Sequence, residues 1–528
     1  MVGWRSRRPA REAPEPPAVP AVVGPAELGI PPDAALPVGT RVDLDPTTQR
    51  LAPDALFGGA PGRVLRLSAT GLRALRELDD GPVATPAGGR LARRLIDAGL
   101  AHPRHVPPAT PPSVTVVVPV RDRPLELERC LRSVGRSHPV LVVDDGSTDP
   151  AAVSAICRRH GARCLRRPVG GGPAAARNTA LASVDSELIA FVDSDCEPGP
   201  SWIEGLAGHL GDPLTVGVAP RIVALGQEES SLPGSPLDLG PRPAPVAPRG
   251  RVPYVPTAAL LVRRAALGDG FDEALRYGED VDLVWRLLES GWRLRYEPSV
   301  QVTHREPGTV GGLLARRFRY GSSAGPLARR HPGNLAHVVL YPGPTGTVAG
   351  LLARRPLVAL ACFAGTTAML ARRLDRAGLP GVAVLAPSAA GVVQTWLGIG
   401  RWCGQFAAPA LVGFVAVPGG RSARRRWGRR AAALSLLLGP SLVEGRKRFA
   451  GEPLRLGSLA RYCATDLLYE AAYGAGVYAG CLREKVASPI VPSLAPAWRP
   501  TAGAPTATTD GGTLTRSARR PGRRGPRP

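Results

Sequence analysis

Three apolar runs, each ending in carboxylates, restrict the fold of this chain more than any other feature. Val114-Thr115-Val116-Val117-Val118 leads into Pro119-Val120-Arg121-Asp122, Val140-Leu141-Val142-Val143 into Asp144-Asp145-Gly146, and Leu188-Ile189-Ala190-Phe191-Val192 into Asp193-Ser194-Asp195. Short runs without polar alternation read as strands buried on both faces. After the first, Leu125, Leu127, Cys130, Leu131 and Val134 fall at helical spacing. A strand–helix–strand–helix–strand order predicts an α/β fold with a parallel sheet and right-handed crossovers. Ligands of such sheets gather at the carboxyl ends of the strands. One strand-end Asp is usually a turn residue or a cap. Five of them, Asp122, Asp144, Asp145, Asp193 and Asp195, predict one acidic pocket.

Asp193 and Asp195 stand two apart. On a strand such positions point the same way, and two carboxylates can hold one divalent cation, Mg²⁺ or Mn²⁺. A cation there can neutralise a diphosphate. Asp-x-Asp is common by itself, so a solvated loop competes with that reading. Further on, Tyr277-Gly278-Glu279-Asp280 leads into a helix predicted over Val281 to Ser290 and ended by Gly291, which Asp280 could cap. Val300-Gln301-Val302-Thr303-His304 is an apolar strand ending in His. Gly170-Gly171-Gly172 is a flexible turn and no Walker loop, since no Gly-Lys-Ser/Thr follows.

The segments Val117 to Pro124, Val142 to Asp149, Ala176-Arg177-Asn178 and Phe191 to Cys196, in this order, resemble family-2 glycosyltransferases of the GT-A fold. The resemblance covers roughly 112–325. It implies inverting transfer from a UDP-sugar such as UDP-glucose. Asp144 would hydrogen-bond the uracil imide, with Pro119, Arg121 and Asp122 shaping the same pocket and Arg177 reaching phosphate or sugar. Asp193 would contact nucleotide and metal, Asp195 and His304 would complete the metal site, and Asp280 would be the general base. Arg121-Asp122 departs from the family, which often has an aromatic followed by Asn or Glu there.

Architecture extends the resemblance. Residues 36–105 predict a compact winged-helix-like unit: short strands at Leu51-Ala52-Pro53 and Arg63 to Leu67, then a helix capped by Ser68 and carrying Leu72, Leu75 and Leu78, then a helix from Leu91 to Leu100. This unit resembles the PqqD-like peptide-recognition fold. Such a unit ahead of a family-2 domain is similar to the mycofactocin-system subgroup, which implies a peptide-derived redox cofactor precursor as acceptor. Two other readings remain open: a membrane enzyme acting on a lipid-linked or polysaccharide acceptor, and a non-catalytic sugar-nucleotide-binding scaffold.

Residues 1–35, rich in Pro and Ala, and the basic tail 497–528 predict disorder. His105 to Ser113 reads as a linker, and Gly226 to Arg251 as a mobile loop. Residues 332–485 alternate uncharged stretches (Pro356–Ala371, Ala377–Gly400, Trp402–Gly420) with Arg clusters, predicting a helical, membrane-associated region. Ala471–Leu482 reads as an interfacial amphipathic helix. The net charge of +24 raises nucleic acid as a partner, but with only 5% aromatics none interleave with the basic residues. An anionic cytoplasmic membrane surface is the expected partner instead, with the catalytic domain on the cytoplasmic face. Eight cysteines without a Cys-x-x-Cys pair suggest neither zinc nor disulfides.

Overall fold

The computed structural model describes residues 19–60, 62–104, 110–225, 235–307, 309–376, 378–379, 383–416, 423–449 and 456–495. Residues 1–18, the tail 497–528, most of the linker and residues 226–234 of the Pro/Gly-rich loop lie outside these.

The N-terminal unit contains β1 (Val42–Leu44), β2 (Gln49–Ala52), β3 (Ala55–Gly58), β4 (Arg63–Arg66), α1 (Ala69–Asp80), α2 (Pro86–Asp97) and β5 (Ala101–Pro103). β2, β3 and β4 form one antiparallel sheet, and β1 pairs with β5. Ser68 caps α1 by accepting from Gly71 N at 3.2 Å. α2 begins earlier than Leu91 because Thr85 caps it, accepting from Gly88 N at 3.0 Å.

The central domain follows with β6 (Val114–Val120), α3 (Pro124–Val134), β7 (Val140–Asp145), α4 (Pro150–His160), β8 (Arg163–Arg167), α5 (Pro173–Leu181), β9 (Leu188–Val192), β10 (Cys196–Pro198), α6 (Trp202–Ala207), β11 (Thr215–Ala224), β12 (Ala244–Pro245), β13 (Ala259–Arg263), α7 (Glu279–Glu289) and β14 (Arg293–His304). The sheet order is β10-β14-β11-β13-β9-β6-β7-β8, with β12 on β14. β9, β6 and β7 are parallel, as the apolar runs predict, and β8, which no apolar run marks, adds a fourth parallel strand beside β7. β13 joins antiparallel to β9, so the full sheet is mixed. One core contains Val116, Val118 and Val142 with Leu127 and Ile156, and the opposite core contains Val117, Leu141 and Val143 with Ala180 and Leu283. Burial on both faces explains the unbroken apolar runs. Leu125, in contrast, is exposed on α3.

Part of the first 35 residues is ordered, correcting that expectation for 19–35. Val23 N donates to Ala266 O at 3.1 Å, Trp292 Nε1 to Val23 O at 2.7 Å and Arg286 Nη1 to Pro20 O at 3.0 Å. Backbone bonds of this kind tether a Pro/Ala segment that its own composition would leave loose.

The helical region comprises α8 (Val310–Ser322), α9 (Ala324–Arg330), the strand β15 (Val339–Leu340), α10 (Pro342–Leu352), α11 (Pro356–Arg376), α12 (Leu385–Phe406), α13 (Ala408–Ala416), α14 (Ala423–Arg448), α15 (Leu456–Glu484) and β16 (Ser493–Leu494). α11 is the one helix among the described residues long and apolar enough to cross a membrane. The chain breaks at Ala407, so Trp402–Gly420 is not one helix. Ala471–Leu482 is internal to α15, which packs against α8 and α9. Glycines make this approach possible: a Cβ on Gly476 would lie 2.0 Å from Phe318 O, and one on Gly480 2.3 Å from Ser322 O. Small residues let helix backbones touch in this way.

Candidate active site

β9 ends at Val192, and Asp193 to Cys196 form a turn closed by Cys196 N donating to Asp193 O at 2.9 Å. The strand argument for Asp193 and Asp195 therefore fails. On a turn the two carboxylates diverge. Asp193 faces Arg177, whose Nη2 lies 2.7 Å from Oδ1. Asp195 faces His304, with Nε2 3.7 Å from Oδ1. The register of β10 on β14 sets Cys196 opposite His304 and so brings Asp195 beside the imidazole. Arg123 pairs with the other oxygen of Asp195. Burial opposes charge on Asp195, yet His304 and Arg123 outweigh it and hold the carboxyl at about 2.

Among the described residues no three His, Cys, Asp or Glu side chains converge to hold a cation by themselves. The triad Asp193, Asp195 and His304 is thus not assembled: Asp193 is withdrawn to Arg177. Asp195 and His304 do fit a cation as a pair. His304 Nδ1 lies 3.2 Å from Glu306 Oε1, a contact that places the ring proton on Nδ1. The Nε2 lone pair then faces a carboxylate oxygen, an arrangement a cation between them would satisfy. Mg²⁺ commonly takes one or two carboxylates and completes its shell with water and substrate phosphates.

Arg177 joins this edge to the opposite one. It is 2% exposed, donates through Nη1 to Glu279 Oε1 at 2.9 Å and lies 5.4 Å above the Phe271 ring. Burial alone would lower its pKa; Asp193 and Glu279 outweigh burial and raise it. The neighbouring Asn178 turns away, gripping Phe271 N and O at 2.8 Å each. Glu279 and Asp280 open α7 after Gly278, whose φ of 83° suits glycine. Asp280 is therefore past the cap, and its Oδ1 accepts from Val281 N at 2.8 Å. Burial pushes the pKa of both carboxyls up, and for Glu279 the adjacent Asp280 adds to it. Asp282 is fully buried and tied to Arg286 at 2.8 Å and His331 at 3.1 Å, which excludes it as a base.

Both edges open on one cavity of about 1230 Å³, lined also by Pro119, Arg121 and Asp145. The predicted single acidic pocket is narrower than expected. Asp144 and Asp122 do not line it. Asp144 is 1% exposed, accepts from Ser147 N at 2.8 Å and pairs with Arg166 at 2.6 Å. Each oxygen thus already has one partner. Asp122, at φ 54°, accepts from Thr148 N at 2.7 Å. Asp145 holds the glycine turn, accepting from Gly171 N at 2.9 Å and Gly172 N at 2.7 Å.

Sequence reasoning missed Arg123, Glu306 and the far wall. Glu306 lies two residues past His304, a spacing that could have flagged it. The far wall carries Tyr254, Tyr320 and Tyr473 from three distant parts of the chain, and Trp285 lines the same cavity. Trp285 is fixed by donating Nε1 to Pro253 O at 2.9 Å. Four of the nine tyrosines, the fourth being Tyr277, line the cavity.

Residues 115–270 match glycosyl transferase family 2. The pre-mycofactocin glycosyltransferase of Mycobacterium tuberculosis is 38% identical over 486 residues, covering 87% of this chain and 98% of the relative. The chain belongs to glycosyl transferase family 2. A second relative, the N-acetylglucosaminyl-diphospho-decaprenol L-rhamnosyltransferase of M. tuberculosis, is 30% identical over 250 residues, 39% of this chain and 81% of the relative. A mannosyltransferase from Pyrobaculum calidifontis solved with GDP-Man and Mn²⁺ superposes with a TM-score of 0.32 at 18% identity, over 64% of this chain and 89% of that one, a likeness too loose to carry anything across. As a family-2 glycosyltransferase the protein is an enzyme, and the scaffold reading falls. The GT-A-like domain accounts for the mixed sheet, and a helical region follows it.

Proposed function

We propose that this enzyme transfers glucose from UDP-glucose, with inversion, onto pre-mycofactocin or its glucosylated product. The observation that carries the chemistry is the single cavity that Asp195 with His304 and Glu279 with Asp280 both line. The acceptor reading rests on the relative that matches along nearly its whole length. Asp280 takes the proton of the acceptor hydroxyl. The acceptor oxygen bonds to the anomeric carbon as the bond from that carbon to the diphosphate oxygen breaks, its electron pair leaving with UDP. Attack from the face opposite the leaving group inverts the centre. Arg177 spans the gap between Asp193 and Glu279 and holds donor and base edges in register. Asp195 and His304 are the protein ligands for Mn²⁺ or Mg²⁺, which when bound supplies Lewis-acid stabilisation to the leaving diphosphate. The tyrosine-rich wall gives ring faces against which an acceptor can stack.

The N-terminal unit, in this reading, is PqqD-like and presents the acceptor. The helical region seats the enzyme on the cytoplasmic membrane face: Leu357 is 81% exposed and Leu360 63% on the apolar helix α11. The test is purified protein with UDP-glucose, Mn²⁺ and pre-mycofactocin. Release of UDP together with a hexose-bearing product supports the reading. Absence of product with UDP-, GDP- and dTDP-sugars alike would sink it.

A further inference from the structure

The N-terminal unit meets the catalytic domain across ion pairs that leave little room for independent motion. Arg93 Nη1 lies 2.7 Å from Asp212 Oδ2, and Arg293 Nη2 3.2 Å from Asp97 Oδ2. Beside them runs a chain of polar groups, buried at Arg295, His102 and Asp45 and reaching solvent at Arg251. Arg295 Nη2, from β14, lies 3.1 Å from His102 Nδ1. His102 Nε2 lies 2.8 Å from Asp45 Oδ2, and Arg251 Nη2 lies 3.2 Å from that same oxygen. A guanidinium cannot accept a hydrogen bond, so His102 Nδ1 accepts and the ring proton sits on Nε2, donated to Asp45. Asp45 is 2% exposed, and its other oxygen accepts from Thr47 N at 2.8 Å. Each member is thereby locked in one sense.

Arg251 carries this chain into the cavity wall. It belongs to the loop 243–255, which crosses from β12 towards the cavity. Arg251 does not line the cavity, but its neighbours Arg249, Gly250, Pro253 and Tyr254 do. The ends of the loop are anchored: β12 pairs with β14, Val246 bridges Val252, Val246, Val252 and Val255 are buried in the core, and Trp285 Nε1 donates to Pro253 O at 2.9 Å. Between them, the loop is also held by Arg251 Nη2 donating to Pro243 O at 2.8 Å. Its tip is conformationally costly, with Arg249 at φ 62°, a region that non-glycine residues occupy only when their surroundings enforce it.

We propose that the Asp45–Arg251 contact is a positioning link through which the N-terminal unit holds the 243–255 wall of the cavity in place for the acceptor. The N-terminal unit then acts on catalysis by shaping the site, whatever else it binds. The acceptor arm of this proposal rests on the pre-mycofactocin reading; the structural arm does not.

The test uses the full chain with Arg251→Gln, which removes the link from the loop side and leaves Asp45, His102 and Arg295 paired. Hydrogen exchange of amides at the loop tip, 247–251, should quicken about tenfold, as expected for loss of the charge-assisted bonds from Arg251 to Asp45 and Pro243 O, with exchange in β6, β7 and β9 unchanged. KM for pre-mycofactocin should rise about tenfold, while UDP release without acceptor stays within about twofold. Arg251→Lys should fall between wild type and Arg251→Gln in both readouts, and it serves as the test variant if the glutamine protein is poorly folded. Unchanged exchange in 247–251 overturns the proposal. So does quickened exchange with an unchanged KM, since the wall would then not serve the acceptor. If wild-type enzyme fails to glycosylate pre-mycofactocin, the acceptor reading fails, and the exchange result still decides whether the link holds the wall.

Discussion

The two edges of the cavity hold the same kinds of residue in opposite states. At the donor edge Asp195 is matched with His304 and Arg123, and its carboxyl is held at about 2. At the acceptor edge Glu279 and Asp280 share one arginine, are shielded from water, and have their pKa values raised. Asp195, proposed to stay charged towards a diphosphate, sits beside Arg123 and His304. Asp280, proposed to accept a proton, is made more basic by burial. Environments that push like residues apart support separate roles for them. Arg177 touches both edges, so their separation is mechanical as well as electrostatic.

The contrast can be broken most sharply at Asp280. Asp280→Asn keeps the size and removes the basicity, and kcat should fall by about 10²–10⁴ with donor affinity unchanged. Turnover near wild type would move the base to another carboxylate. Arg177→Met cuts the bridge and strands Asp193 and Glu279, and it should cost about 3 kcal/mol of unfolding free energy in denaturant titration. A stability loss under about 1 kcal/mol would mean that the two edges stand independently. Glu306→Gln tests the donor edge. It weakens the carboxylate behind His304 and should lower Mn²⁺ affinity about tenfold, measured by electron paramagnetic resonance of free Mn²⁺. The other oxygen of Glu306 pairs with Arg316, and equal affinity would show that Glu306 serves only that pair.

The pH response distinguishes the edges further. A carboxyl whose pKa is raised by folding is favoured in its protonated form, so its contribution to stability is present at low pH and lost as pH rises through the raised value. Catalysis needs the deprotonated form. The acid limb of kcat should therefore lie above the ordinary aspartate range, and stability should decline across that limb. A midpoint at about 4 or below would remove Asp280 from the role. The smallest effect is expected at Asp144. Asp144→Asn still accepts from Ser147 N, so it should cost under about 1 kcal/mol and leave donor KM within about threefold. A large rise in donor KM would restore the uracil contact first expected of it.

The strands β6, β7 and β9 were legible because two-sided burial demands unbroken apolar runs. The helix at Glu279 was legible from its acidic start and Gly291. The divergence of Asp193 from Asp195 was not, because strand and turn use the same residues there and only the β10–β14 register distinguishes them. Asp144 looked like a binding residue for want of Arg166, whose contact depends on the pairing of β7 with β8. The far wall was hidden for a further reason: Tyr254, Tyr320 and Tyr473 meet only through tertiary packing, and nothing local marks them.

That packing has a consequence for how the enzyme comes into being. Gly476 and Gly480 press α15 onto the backbone of α8, and with it Tyr473 onto the cavity. Tyr473 leaves the ribosome long after Asp280. Domains tend to fold in order of synthesis, so the nascent chain passes through a stage in which the nucleotide-facing half has formed and one side of the pocket is still missing. A polypeptide released at that stage would display a pocket open to water, where a bound sugar nucleotide meets solvent in place of its acceptor. Competence is gained only once α15 has been made.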